Sequence, residues 1–114
     1  ELGDAFRSWC AKEEDDPKNT FSLKLFKSAW SGYTNATRLF LTKKEQKEIP
    51  KAIGLITLEL ASRFLVDYFE DKYFGWDENK YISRREHNLA RCRGQLAEFK
   101  DFVEKKKKVK KIIS

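Results

Sequence analysis

RFLVDYFEDKYFGWDENKYISRREHNLARCRGQLAEFKDF, Arg63 to Phe102, is the stretch on which the fold is read. It begins in the second half of a long, apolar-rich helical pattern. It then crosses an aromatic segment, Tyr73 to Tyr81, which contains Gly75, has no periodicity and reads as an ordered loop. Ser83 and Glu86 have capping-box spacing, in which the hydroxyl takes a first-turn N–H and the Glu side chain returns to the cap. Beyond them Leu89, Cys92, Leu96, Phe99 and Val103 recur at three- and four-residue steps. That spacing predicts a helix to about Lys106 with those five side chains inward.

Working outward, Pro50 suits the first turn of the longest helix, because its missing N–H costs nothing there. This helix is expected from Pro50 to about Asp71, with a stripe of Ile53, Ile56, Leu60, Phe64 and Tyr68 widened by Thr57, Ala61 and Leu65. So much of its circumference is apolar that it reads as the central helix. Thr42 and Glu45 form another capping box, opening a short helical turn to Glu48. Ser22 is the expected N-cap of a helix to about Phe40, with Leu23, Phe26, Trp30, Tyr33 and Thr37 on one face and a weak point at Ser31-Gly32. Leu2, Phe6 and Trp9 share one face of a helix over residues 1–12, which the acidic turn Glu13–Asn19 ends. No strand-like alternation and no internal repeat is evident, so the expected class is all-α with four main helices.

Charge has to be located before it is interpreted. Residues 103–114 hold six Lys against Glu104, a balance of +5. The other 102 residues hold 18 basic and 17 acidic side chains. Basicity is thus read as a property of a Lys-rich tail, solvated or frayed, and nucleic acid as an unlikely partner, because phosphate binding needs a folded basic face. Cys10 and Cys92 lack metal-ligand spacing and only one His is present, which argues against a zinc site. With no signal-like or membrane-spanning apolar run, the cytoplasm is the expected compartment. The absence of Met and the start at Glu1 suggest a piece of something longer.

Two phrases carry a resemblance: ELGDAFRSW, Glu1–Trp9, and EHNLARCRGQ, Glu86–Gln95. Over roughly residues 1–102 the chain resembles the last part of aminoglycoside-phosphotransferase-like small-molecule kinases, including homoserine-kinase-like and N-acetylhexosamine-kinase-like enzymes. In those enzymes a GDAxRSW phrase follows a metal-binding Asp-Phe-Asp segment, and an EHNLxRxRxQ helix closes the chain. The resemblance implies a four-helix, bundle-like subdomain of a protein-kinase-like C-lobe (residues 1–102) followed by the tail (103–114). Such a subdomain shapes the pocket for an acceptor such as a sugar, amino sugar or amino alcohol. The HGDxxxxN base loop and the metal segment are not in this sequence, nor is a Gly-rich phosphate loop. The isolated chain is therefore expected not to catalyse phosphoryl transfer; ATP and Mg²⁺ are implied only for a complete parent.

The candidate acceptor-pocket residues are Asp4, Arg7, Arg63, Asp67, Tyr73, Trp76, His87 and Asn88. Each has a structural reading beside the functional one. Asp4 and Arg7 make an ordinary one-turn pair or, by the resemblance, lie near an active centre. Glu59, Arg63 and Asp67 make an i,i+4 ladder, or Arg63 or Asp67 reaches a polar substrate. Tyr73, Phe74, Trp76 and Tyr81 form either a lid over the core or a wall for a sugar ring. His87 and Asn88 fix the start of the last helix by hydrogen bonds or line the pocket. Arg84, Asn88, Arg91 and Gln95 form a polar stripe on that helix that faces solvent or, by the resemblance, a missing kinase lobe; with no partner present it is expected to be solvated. Two other classes stand beside the kinase reading: a free-standing dimerising helical module, and an RNA- or membrane-surface binder acting through the tail.

Overall fold

The computed structural model describes residues 2–37 and 41–114. They are all-helical apart from an isolated antiparallel bridge between Ala11 and Phe21, with four helices: α1 (Leu2–Cys10), α2 (Leu23–Thr37), α3 (Lys43–Glu70) and α4 (Arg84–Ile113). The expected end of α2 near Phe40 lies outside the described residues.

Local chemistry accounts for most boundaries. The Leu25 N–H donates to Ser22 Oγ (3.1 Å), so Ser22 caps α2. Thr42 and Glu45 form the complete reciprocal box at the head of α3. Ser83 caps α4 by accepting the Glu86 N–H (3.1 Å). At the far end of α3, Asp71 adopts the left-handed conformation (φ 55°) and its N–H returns to the Asp67 carbonyl (2.7 Å), which stops the helix.

α3 and α4 form the backbone of the molecule as an antiparallel pair: Gly54 lies against Phe99 and Phe102, while Asp67 at the other end meets Asn88. At about 1.5 Å per residue, the 30 residues of α4 account for the 46 Å long axis. α1 crosses α3 closely, because a Cβ at Gly3 would sit 2.8 Å from the Ala52 carbonyl. Gly94 has the same function for the acidic turn: any side chain there would overlap the Glu14 carbonyl. α2 packs on α1 and the end of α4, closing a core of Phe6, Phe21, Phe26, Trp30, Ile49, Ile53, Phe102 and Val109. Phe6 meets Phe26 edge-on, and Phe21 meets Phe102 likewise at 5.0 Å, a geometry that adds to their area burial. A smaller cluster of Ala61, Phe64 and Cys92 lies under Phe74 at the other end.

Four features differ from the sequence reading. Pro50 starts no helix; it lies inside continuous α3, where its ring removes the hydrogen bond to the Gln46 carbonyl. The Thr42 cap on one side and burial of Ile49, Pro50 and Ile53 on the other hold the helix across this gap. Second, α4 does not end near Lys106: it runs to Ile113, Val109 is wholly buried, and Ile112 and Ile113 pack on the core. The lysine segment is therefore the end of a packed helix rather than a frayed tail. Third, α4 is turned about its axis relative to expectation. Leu96 and Val103 are 37% and 52% exposed, while Asn88, Gln95, Glu98 and Phe102 face inward. Of the polar stripe expected in solvent, Asn88 and Gln95 are fully buried. Fourth, α3 is not enclosed: Leu55, Leu58, Leu65, Val66 and Phe69 are exposed. No described helix is long and apolar enough to cross a membrane.

Candidate functional site

The loop joining α3 to α4 is built on Asp67. Its Oδ1 accepts the N–H groups of Lys72 (3.0 Å) and Tyr73 (2.9 Å). Its Oδ2 accepts that of Phe74 (3.0 Å) and the Asn88 amide (2.8 Å). Burial of Asp67 works against ionisation, but these backbone and side-chain donors outweigh it and hold the carboxyl well below the usual carboxylate range. Arg84 and Arg91 complete the frame. Arg84 donates to the Phe74 carbonyl (2.8 Å) and the Asp71 carbonyl (2.9 Å). Arg91 donates to the Gly75 carbonyl (2.8 Å) and to Asn88 Oδ1 (3.0 Å). Both belong to the stripe expected in solvent. α4 thus supplies donors to three carbonyls of the loop and its helix end, those of Asp71, Phe74 and Gly75.

Within this frame, Arg63, Asp67 and Tyr73 line one open cleft of about 390 Å³, together with Glu59, Val66, Glu70, Lys72 and Phe74. Arg63 lies over the Phe74 ring, 5.8 Å from its centroid. No ion pair joins Glu59, Arg63 and Asp67 among the described residues, so the expected ladder is absent: Asp67 spends both oxygens on the loop and Asn88 instead. Tyr73 is 70% exposed, its ring edge-on to Phe74. The cleft thus has an aromatic wall, a rim of both charges and a floor braced by a buried carboxylate.

The other candidates lie elsewhere. His87 is buried behind the loop, stacked on Tyr81 at 4.1 Å. Its Nδ1 accepts the Asp77 N–H (3.1 Å), so the neutral ring carries its proton on Nε2, facing Asp15 Oδ2 (3.0 Å). Burial and then the Arg91 charge lower its pKa, against the pull of Asp15. Trp76 is half-buried in the same loop and does not line the cleft. Asp4 and Arg7 sit on α1. Arg7 clasps Asp4 through Nε (3.1 Å) and Nη2 (2.8 Å) and reaches Gln95 Oε1 through Nη1 (3.2 Å).

That last contact opens a second polar cluster which residue-by-residue reading missed. Glu98 is fully buried, and among the described residues neither of its carboxylate oxygens has a hydrogen-bond partner; nor does Gln95 Nε2. Burial raises the Glu98 pKa to about 8; Arg7 opposes the rise, and Glu14 and Asp101 add to it. The Asn19 amide is near enough to favour the ionised form slightly, but it donates to the Gly94 carbonyl (3.2 Å). The Cys10 thiol is pushed up to about 12, by burial and then by Glu98. Asp15, another missed residue, takes Tyr81, Lys80 and His87, which tethers the acidic turn to the loop. In the sequence it was visible only as one acid among four in a turn. No protein-family model matches the chain.

Proposed function

We propose that this chain is the acceptor-shaping helical part of a small-molecule phosphotransferase, a subdomain of a kinase-like C-lobe that is not catalytic by itself. The observation that carries this reading is the meeting of Arg63, Asp67 and Tyr73 about one cleft. These three stand 10 positions apart or fewer, yet a helix and a loop had to meet at a set angle for them to share a cavity. The chemistry suits a polyhydroxylated or amino-bearing acceptor. Tyr73 offers a face to stack a sugar ring, Arg63 donates to hydroxyls, and Glu59 and Glu70 accept from hydroxyl or ammonium groups. Nucleotide, metal and catalytic base belong to the parent enzyme, so the cleft would select and orient the acceptor. The test is a ¹H–¹⁵N titration of the chain with N-acetylhexosamine, hexosamine, homoserine and choline. Saturable shifts at Arg63, Glu70 and Tyr73 that vanish in Arg63→Ala support the reading. Shifts that are absent, or persist unchanged in the variant, overturn it.

A second reading, a dimerising helical module, is favoured by the exposed residues Leu55, Leu58, Leu65 and Phe69, which recur along α3 at intervals that keep one face. Light scattering behind a sizing column separates the two. A dimer lost in Leu58→Glu/Leu65→Glu favours the module, and a monomer counts against it.

A further inference from the structure

The end of α4 and the start of α2 enclose an open cleft of about 770 Å³. Lys24 and Lys27 of α2 stand on one wall, Lys108 and Lys111 of α4 on the other, over a floor that includes Trp30 and Ile112. No carboxylate among the described residues lines it. Among the described residues none of these four lysines is in an ion pair, unlike neighbouring Lys105, which Asp101 holds at 2.6 Å. Separately, the lysines of residues 103–114 look like a tail; folded, they complete a basic face whose other half comes from a helix some eighty residues earlier.

Helix electrostatics explains only one wall. Cations near the end of α4 complement its negative pole. Lys24 does the reverse: it sits in the first turn of α2, at the positive pole, where no acidic residue offsets it, with Lys27 in the turn after. A bound anion would offset the repulsion at Lys24.

We propose that this cleft holds the phosphate backbone of a single-stranded nucleic acid. Four lysines are point charges that neutralise phosphates without the bidentate geometry that reads base edges, so binding is independent of sequence. Partly exposed Ile112, beside the almost wholly buried Trp30, gives bases a small apolar contact at the floor. An anionic bilayer is the poorer partner. Of the apolar residues in the lysine segment, Val109 is wholly buried and Ile112 and Ile113 pack partly on the core; exposed Val103 alone makes too small a face to insert, and the lysines line a concavity. The proposal is independent of the acceptor cleft at the other end of α3.

The experiment is fluorescence anisotropy of a labelled 12-nucleotide oligouridylate with the 114-residue chain, against vesicles of phosphatidylserine and phosphatidylcholine. Four phosphate contacts on a single strand predict a slope of log affinity on log salt of about −3, or a loss of about fiftyfold between roughly 50 and 200 mM salt. Lys24→Glu/Lys27→Glu should weaken binding at least tenfold and lower the slope by about 1.4, and Lys108→Glu/Lys111→Glu should match it from the other wall. The control Lys44→Glu/Lys47→Glu, with the same change of net charge outside the cleft, should cost less than about threefold. Circular dichroism checks that each variant keeps its helicity. Equal losses in the control, tighter binding to vesicles than to RNA, or no binding at 50 mM salt would each overturn the proposal.

Discussion

Glu98→Gln tests the buried polar cluster most directly. Folding takes the Glu98 carboxyl from an ordinary value of 4.5 to about 8, in a site where the nearby donor, the Asn19 amide, is spent on the Gly94 carbonyl. The folded chain therefore holds this proton more tightly than the unfolded chain. Stability from this group is complete below pH 4.5 and is lost as pH rises toward 8. At about 1.4 kcal/mol per unit, the cost is roughly 1 kcal/mol at pH 5 and roughly 3 at pH 7. Glutamine has nearly the same shape and no charge, so the cost disappears. The stability of Glu98→Gln relative to the native chain should rise by roughly 2 kcal/mol between pH 5 and pH 7. Urea unfolding at pH 5, 6, 7 and 8 measures it, and taking the difference at each pH cancels the opposite slope from His87. A difference that stays flat over that range, or falls, would refute the reasoning, because Glu98 would then be ionised in the folded state with partners absent from this geometry.

Asp67→Asn should cost about 2–4 kcal/mol, because an amide N–H₂ would face the Phe74 N–H and Asn88 donors; hydrogen exchange at Lys72, Tyr73 and Phe74 should accelerate with it, and unchanged exchange would count against the brace. Gly94→Ala, which drives a methyl into the Glu14 carbonyl, should lower stability by at least about 2 kcal/mol and the thermal midpoint by several degrees. The His87 pKa is depressed in the fold. Its stabilisation is therefore present above the unfolded value of about 6.5 and is lost as pH falls through that region. An NMR titration should place it below 6.5 with the proton on Nε2; a raised value would contradict the hydrogen bond to Asp77. Truncation after Val103 should destabilise the fold rather than merely remove charge, because it takes away buried Val109 and the packing of Ile112 and Ile113, worth about 2 kcal/mol or more; an unchanged midpoint would return the segment to a frayed end.

Helix starts were legible because caps are local. Ser22, Thr42 and Ser83 each take a first-turn N–H three residues on, a bond between near neighbours that composition and spacing reveal. The all-helical class followed from the same periodicity. The inward face of α4 was not legible, because two faces of that helix compete. Leu96 and Val103 are the apolar choice, yet Gln95, Glu98 and Phe102 are buried. The contacts that decide it come from far along the chain: Arg7 to Gln95 spans 88 positions, and the Phe21 N–H to Asp101 spans 80. A helix shows its neighbours a whole surface, and only the docked acidic turn, admitted by the missing side chain at Gly94, selects the polar one. The same holds for the candidate sites. Arg63, Asp67 and Tyr73 were recognisable as chemistry, but the loop that sets them around one cleft is held by Arg84 and Arg91 of α4. The lysines were countable from the start; their meeting across a cleft depended on α2 lying beside the last turns of α4, a packing set by Trp30 and Val109 in a shared core.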